Sequence, residues 1–483
     1  MCVNPALKCA GWLLAGLALC GCAVGPNYHR PSSVAPQHFK NTTPTGATGT
    51  PPDRWWTLFH DDMLNGLIEQ VDVSNQNLAE ATAAYEQAIA VVQQDRAALF
   101  PSIGVSASAT RVKAGTGTST AVGAGSGSVA FAGASSASTI YQFAGSATWE
   151  LDVWGKLRRT LENARESARA DLADLANARL SAQAQLATAY LQLRGADAEL
   201  KILSETVDAY ARTLQITRNR YAVGNSPKTD VLQAETQLYS AQQQRSATAL
   251  TRAQLENAIA ALVGKAASDY HIAARGDWNI PVPEIPVGVP TTLLERRPDI
   301  KAAEHNVAAA NANIGVQEAN YFPAFTLTGS TSFLAESVKH LFDAASLTRE
   351  AALSGSDTVF NFGGTQAQVA QARAAWRQTV ATYRQTVIAA LQSVENDLAA
   401  TDWDKKQYDF LHQATQAADE NERLTLNEYK AGQVDYTTVV VAQTAALSTR
   451  LSFAQVAIAE QTAAVSLVTD LGGGWTTAAA AKP

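Results

Sequence analysis

Apolar residues recur at helical spacing over two unusually long stretches. Leu157, Leu161, Ala164, Ala168, Leu172 and Leu175 step by 4, 3, 4, 4 and 3. Val369, Ala372, Trp376, Val380, Tyr383, Val387, Leu391, Val394 and Leu398 step by threes and fours throughout. Both sets average about 3.6 residues per step, the period of helices that run nearly straight side by side rather than supercoiling tightly. Proline breaks helix interiors, and none occurs between Ser102 and Ser226, Lys228 and Ile280, Asp299 and Phe322, or Ala324 and Lys482. Only Gly195 interrupts the interval from Lys156 to Tyr221, and no glycine interrupts Thr365 to Ala431. The pattern predicts long helices over about 156–222 and 365–430, each roughly 100 Å long at 1.5 Å per residue. Shorter return helices are expected over about 228–263 and 436–471.

After Phe100-Pro101 and again after Phe322-Pro323 the period changes to two. Ile103, Val105, Ala107 and Ala109 alternate with Gly104, Ser106, Ser108 and Thr110. Tyr141, Phe143, Gly145, Ala147, Trp149 and Leu151 alternate with small or polar neighbours, as do Phe325, Leu327, Gly329, Thr331 and Phe333. A weaker strand is expected from about Leu353 to Phe362. The two β-hairpins fall at about 101–152 and 324–362, and a flexible loop from Gly115 to Ser138, nearly all Gly, Ser, Thr and Ala, sits inside the first. Strands of about ten residues with one apolar face suit a membrane barrel, with Tyr141, Trp149, Phe325 and Phe360 as interfacial aromatics; a soluble sandwich is the alternative. Lipid forbids open strand edges, and four strands are too few to enclose a lumen. The barrel must then be shared, and a duct favours three copies with twelve strands over two with eight.

The two halves repeat one plan. Leu99-Phe-Pro101 matches Tyr321-Phe-Pro323 at an offset of 222, Leu151-Asp-Val-Trp-Gly155 matches Phe360-Asn-Phe-Gly-Gly364 at 209, and Tyr221-Ala-Val-Gly224 matches Tyr429-Lys-Ala-Gly432 at 208. Repeat 1 is read as 63–280 and repeat 2 as 299–474, each a helix, a hairpin, a long helix and a return helix. A linker at 281–298 with Pro281, Pro283, Pro286 and Pro290 separates them, and a tail covers 475–483.

Composition changes the picture mainly at the N-terminus. All four cysteines lie within the first 22 residues, so disulfides, zinc clusters and cysteine nucleophiles are excluded from the body. Lys8 and the apolar run Ala10–Leu19 read as a signal peptide over 1–21. Leu19-Cys20-Gly21-Cys22 resembles a bacterial lipobox, which makes Cys22 the expected lipidation site, carrying a diacylglycerol and an amide-linked acyl chain. Ala23, a non-acidic residue after it, implies sorting to the outer membrane. Residues 22–62 form an extended, proline-rich tether. Beyond the signal no uninterrupted apolar run approaches the ~20 residues of a transmembrane helix. Net charge is −7 with 17% charged residues, which leaves no basic footprint for nucleic acid.

These segments together resemble the TolC-like outer-membrane factors, particularly the OprM/NodT-type efflux lipoproteins. The resemblance rests on the lipobox with Asn27-Tyr28-His29-Arg30-Pro31, on Leu294-Glu-Arg-Arg-Pro-Asp-Ile300, on Ile314-Gly with Tyr321-Phe-Pro323, on Phe360-Asn-Phe-Gly-Gly364 and on Leu471-Gly-Gly-Gly-Trp475. It implies a mainly α fold with a membrane β part: a homotrimer whose twelve-strand β-barrel continues into a twelve-helix periplasmic α-barrel. It implies, as partners, outer-membrane lipid, a periplasmic adaptor and an inner-membrane pump of resistance-nodulation-division type. Gly224 and Gly432 become the periplasmic tip turns, with Thr229, Asp230, Asp435 and Tyr436 as candidate gate residues. Val434, Thr438, Val441 and Thr444 stand where relatives carry Asp or Arg, so an acidic ring, if built, is displaced. Arg296 and Arg297 read as structural, with Pro298 in the first helical turn.

The seven histidines have no metal-ligand spacing, and no nucleophile elbow or phosphate-binding glycine loop stands out. No catalytic residue, metal or cofactor is expected. The leading function is the exit duct of an efflux pump for drugs or other small molecules. Type I protein secretion and a structural coiled-coil lipoprotein are the competing readings.

Overall fold

The computed structural model describes residues 23–33, 36, 38–40, 52–112, 120–123, 128–131, 138–277, 282–283, 285–286 and 296–473. Cys22, the leader before it, most of the linker and the tail lie outside these. After a short 3-10 turn at Trp55–Phe59 come α1 (Asp62–Ser74), α2 (Gln76–Ala97), β1 (Ser102–Val112), β2 (Thr120–Gly123), β3 (Ser128–Phe131) and β4 (Ser138–Leu151). Then follow α3 (Lys156–Ala222), α4 (Lys228–Leu262), α5 (Pro298–Glu318), β5 (Ala324–Ala335), β6 (Leu347–Ser356), α6 (Gly364–Lys430) and α7 (Tyr436–Asp470). The long helices α3 and α6 have 67 residues each, and the return helices α4 and α7 have 35 each.

Two expectations need correction. The last strand is not at 353–362 but starts at Leu347 and ends at Ser356, because β5 continues to Ala335 and fixes the register Phe333↔Leu347 through Ala324↔Ser356. Phe362 and Gly363 then have φ of +53° and +85°, which ends extended structure. The Gly/Ser insert is not wholly irregular, since β2 and β3 pair within it. The expectation of no continuous apolar run stands, although α7 contains an 18-residue window apolar enough to cross a membrane by length and composition, with 28% of it buried. Ala and Val spread among Thr and Gln raise its mean hydropathy without any continuous apolar run.

The chain divides into two compact units that cut across the repeats. One comprises 1–30, 87–168 and 305–380, the other 31–86, 169–304 and 381–483. The first unit is built on a four-stranded antiparallel sheet in the order β1-β4-β5-β6. The β4–β5 pairing joins the repeats, with Phe143 opposite Phe333 and Trp149 opposite Leu327. All pairings match odd with odd positions, so one face carries Ile103, Val105, Tyr141, Phe143, Trp149, Leu327, Phe333 and Leu353 and the other mostly Ser, Thr and Gln. At the foot of the sheet Trp154 stacks on Phe322 at 4.8 Å and donates its indole N–H to the Pro323 carbonyl at 2.8 Å. Asp152 accepts the Leu157 and Arg158 amides at 2.9 and 3.1 Å and so caps α3.

The segment following residue 22 is fitted into this unit. Val24 N donates to the Trp154 carbonyl at 3.0 Å. The buried Arg159 guanidinium donates to the Val24 and Gly25 carbonyls and to Asn27 Oδ1, and Asn311 donates to the Pro26 carbonyl at 2.9 Å. Gly25, at φ +97°, lies so close to Gly315 that neither position has room for a side chain.

Among the described residues the second unit has three apolar clusters. Trp55, Phe59, Leu64, Ile68, Leu186, Tyr190, Leu193, Ile259 and Val468 form the largest. Beside it a buried polar network is fully matched. Asp61 caps α1 and accepts the Tyr190 hydroxyl at 2.9 Å, while Arg194 bonds Tyr190 and Asp197. Arg252 completes the network by donating to Asp197 at 2.6 Å and to the Ile272 carbonyl. Phe39, Val394, Leu398, Leu467 and Leu471 form a smaller cluster. Nearby, Arg297 bonds Asp299 at 2.8 Å and Asp470 at 3.0 Å, the structural role expected from the sequence.

Candidate functional site: the paired helical turns and the sheet

Two glycine turns reverse the long helices within the second unit, and both are made in the same way. Gly224 and Gly432 have φ of +79° and +76°. The Gly224 amide bonds the Tyr221 carbonyl and the Asn225 amide bonds the Arg220 carbonyl at 2.8 Å. In the other turn, the Gly432 amide bonds the Tyr429 carbonyl and the Gln433 amide the Glu428 carbonyl at 2.9 Å. This double closure satisfies carbonyls that a helix end leaves open, and only glycine takes its left-handed residue without strain. Pro227 then precedes α4, while Asp435 caps α7 by accepting the Thr438 amide and hydroxyl, both at 2.9 Å.

The candidate gate residues have separate surroundings. Thr229 and Asp435 are exposed, Asp230 is half-buried and Tyr436 is 1% exposed. Asp230 accepts the Ser226 hydroxyl at 2.5 Å, so each acid is engaged by its own turn. The Thr438 amide and hydroxyl hold the Asp435 carboxyl below the usual carboxylate range. Burial pushes the Tyr436 phenol well up, with Tyr429, Tyr210 and Asp230 adding to the effect.

The contacts that join the α3–α4 hairpin to the α6–α7 hairpin come from residues the sequence reading did not select. Arg220 donates Nη1 to the Tyr429 carbonyl at 2.5 Å and lies over the Tyr429 ring, 4.6 Å from its centre. Tyr429 meets Tyr436 at 5.4 Å, and its hydroxyl donates to Thr217 Oγ1 at 3.4 Å. Tyr210 donates to the Gln443 carbonyl at 3.2 Å. Around them Val207, Leu214, Ala234, Leu238 and Val439 are buried. The repeat itself held a signal. Tyr221 and Tyr429 occupy matched positions, yet Tyr221 is 47% exposed and Tyr429 only 2%. A basic residue, Arg220, precedes the exposed tyrosine while the acid Glu428 precedes the buried one, so the two turns are not chemically equivalent.

The sheet is the second component. Its outer strands, β1 and β6, each have one neighbour among the described residues. Trp149 donates its indole N–H to the Leu99 carbonyl at 3.0 Å, and at the other end Phe342 packs edge-on against Phe143 and Phe333. Among the described residues no group of three or more His, Cys, Asp or Glu is placed to hold a metal.

The family model for outer membrane efflux proteins matches residues 67–265 and 289–473. The chain belongs to the outer membrane efflux protein family. It is 28% identical over 462 residues to the probable efflux pump outer membrane protein TtgC of Pseudomonas putida, with 94% of this chain and 93% of the relative covered. It is 27% identical over 467 residues to the cation efflux system protein CusC of Escherichia coli, covering 95% and 97%. The solved outer-membrane channel OprN superposes with a TM-score of 0.85 at 28% identity, over 94% of this chain and all of that one. The protein is accordingly an outer-membrane channel component of an export system, and not an enzyme. The four-stranded sheet with long helices is the protomer fold of this family.

Proposed function

We propose that the chain is the outer-membrane exit duct of a tripartite efflux pump and works as a homotrimer. The observation that carries this is a four-stranded sheet with one apolar face, one polar face and, among the described residues, an unpaired edge on each side. Unpaired amide and carbonyl groups at such edges are unaffordable in lipid, and twelve strands from three copies close a wall around a polar lumen. Cys22 carries the lipid anchor in this reading, and the docked Ala23–Asn27 segment supports it by holding the chain at the foot of the sheet. An adaptor and a resistance-nodulation-division pump supply contact and energy, in keeping with the efflux-pump names of the relatives. The turns at Gly224 and Gly432 form the periplasmic tip. Thr229, Asp230, Asp435 and Tyr436 line or brace its gate, with Arg220 and Tyr429 fastening the two hairpins of each copy.

Purified protein added to planar bilayers should give discrete single-channel conductance, and native mass spectrometry should give a trimer. A detergent-solubilised monomer with a complete sheet and no conductance would overturn the proposal.

A further inference from the structure

The charged residues of the sheet are sorted by sign. Glu150 and Glu350 stand at even positions, on the polar face with Ser146, Thr328 and Ser330. Arg111 and Arg349 stand at odd positions, on the apolar face, where they are the only charged residues among the described ones. Both arginines are exposed, and among the described residues neither has an acidic partner. An arginine on a lipid-facing strand costs about 2–4 kcal/mol at the bilayer midplane and about 0–1 near the interface. Two without an acidic partner among the described residues, on opposite outer strands and three rows apart, therefore each mark a place where the surroundings supply the anion.

The register locates these places. Arg349 lies opposite Thr331, and the next row toward Val112 on this face is Leu347, Phe333, Phe143 and Ala107. One row spans two residues, about 7 Å, a distance a long cationic side chain covers by snorkelling. That row bears the aromatic cluster closed by Phe342, whose ring centre is 5.6 Å from Phe143 and 5.3 Å from Phe333. Aromatic rings favour the boundary between acyl chains and headgroups. Arg111, opposite Thr139, stands two rows farther along, beyond Tyr141. The loop bearing Phe342 adds the exposed Lys339. The opposite end of the sheet, with Trp149, Phe325 and Leu151, has no basic residue on this face.

We propose that Arg349, one row from the Phe143–Phe333–Phe342 cluster, and Arg111, two rows beyond it on the far outer strand, each hold the headgroup of an anionic, phosphate-bearing lipid of the outer leaflet. The guanidinium forks match phosphate oxygens, and the aromatic rings receive the first part of the acyl chains. Both sites lie on the outside of the wall, apart from the conducting path, and rest on the barrel reading above.

The test reconstitutes the full-length trimer into nanodiscs of phosphatidylcholine with phosphatidic acid, then counts retained lipids by native mass spectrometry. The wild type should enrich phosphatidic acid over phosphatidylcholine by about fivefold per guanidinium, less at high salt. Arg349→Gln with Arg111→Gln should abolish the enrichment with conductance unchanged, and Arg349→Lys with Arg111→Lys should restore part of it. Equal retention of both lipids by a conducting wild type overturns the inference and leaves the duct standing. The same holds if the double Gln variant keeps the full enrichment. A wild type that neither inserts nor conducts overturns the duct itself and the lipid sites with it.

Discussion

Arg220 shows how much one side chain can carry at a helical turn. Its guanidinium makes a charge-assisted hydrogen bond to the Tyr429 carbonyl and covers the Tyr429 ring, so it fastens two hairpins whose own capping bonds are all internal. Arg220→Ala should remove about 1–2 kcal/mol of local stability. In the duct reading it should also raise single-channel conductance; wild-type conductance in that variant would show that the hairpins are held elsewhere. A second residue-scale effect concerns Asp397. Burial raises its carboxyl to about 7, reinforced by the neighbouring Asp470 and opposed by Arg297. The folded chain therefore holds a proton that the unfolded chain releases near pH 4. Stability should fall as pH rises from about 4 to about 7 and then level off, because the folded state binds more protons across that window. Asp397→Asn should flatten this part of the thermal-melt pH profile, and an unchanged slope would assign it to other groups.

At the scale of elements, the chain has one built-in strap. Ala23–Asn27 takes its hydrogen bonds from Trp154, Arg159 and Asn311, not from a regular partner strand. Shape matters as much as bonding, since a Cβ on Gly315 would lie 2.9 Å from the Val24 carbonyl oxygen. Gly25→Ala adds strain at positive φ to a clash with Gly315. Amide exchange at Val24 and at the other strap amides should then rise by about tenfold or more, while exchange in β4 and β5 stays at the wild-type level. Parallel loosening of the strands would mean that the strap is part of the sheet's own folding unit. The long helices need no comparable device. Their glycine stops, Gly224 and Gly432, and the Asp152 cap of α3 define them from within, as Asp435 does for the return helix α7.

At the scale of the whole molecule, the proposed duct makes one copy incomplete as a channel. In the proposed duct, a sheet whose outer strands have one neighbour each among the described residues needs other copies before anything can pass, so function would depend on assembly. Family members carry names as different as antibiotic efflux and cation efflux, so the shared fold alone does not name a cargo. Deleting the gene in its host should increase susceptibility to pump substrates and leave the secretome intact. Loss of one secreted protein with unchanged susceptibility would instead make this the duct of a type I secretion system.

The period and the punctuation of the chain determined most of its local architecture. Helix spacing, the missing prolines and the two Tyr-x-x-Gly turns placed α3, α4, α6 and α7 closely, because helical bonds and caps form between near neighbours. The alternation after each Phe-Pro placed β1, β4 and β5, because successive side chains of one strand point to opposite faces. The last strand was misplaced by several residues, since a weakly patterned segment takes its register from β5 and not from its own residues. Only the tertiary structure decided which partners meet: Arg220 with Tyr429, and Arg159 with a segment more than 130 positions away. It also buried Tyr429 while leaving its repeat-mate Tyr221 in the open. Such contacts depend on which faces are brought together after the elements form, and residues far apart in the chain carry no periodic mark of that meeting.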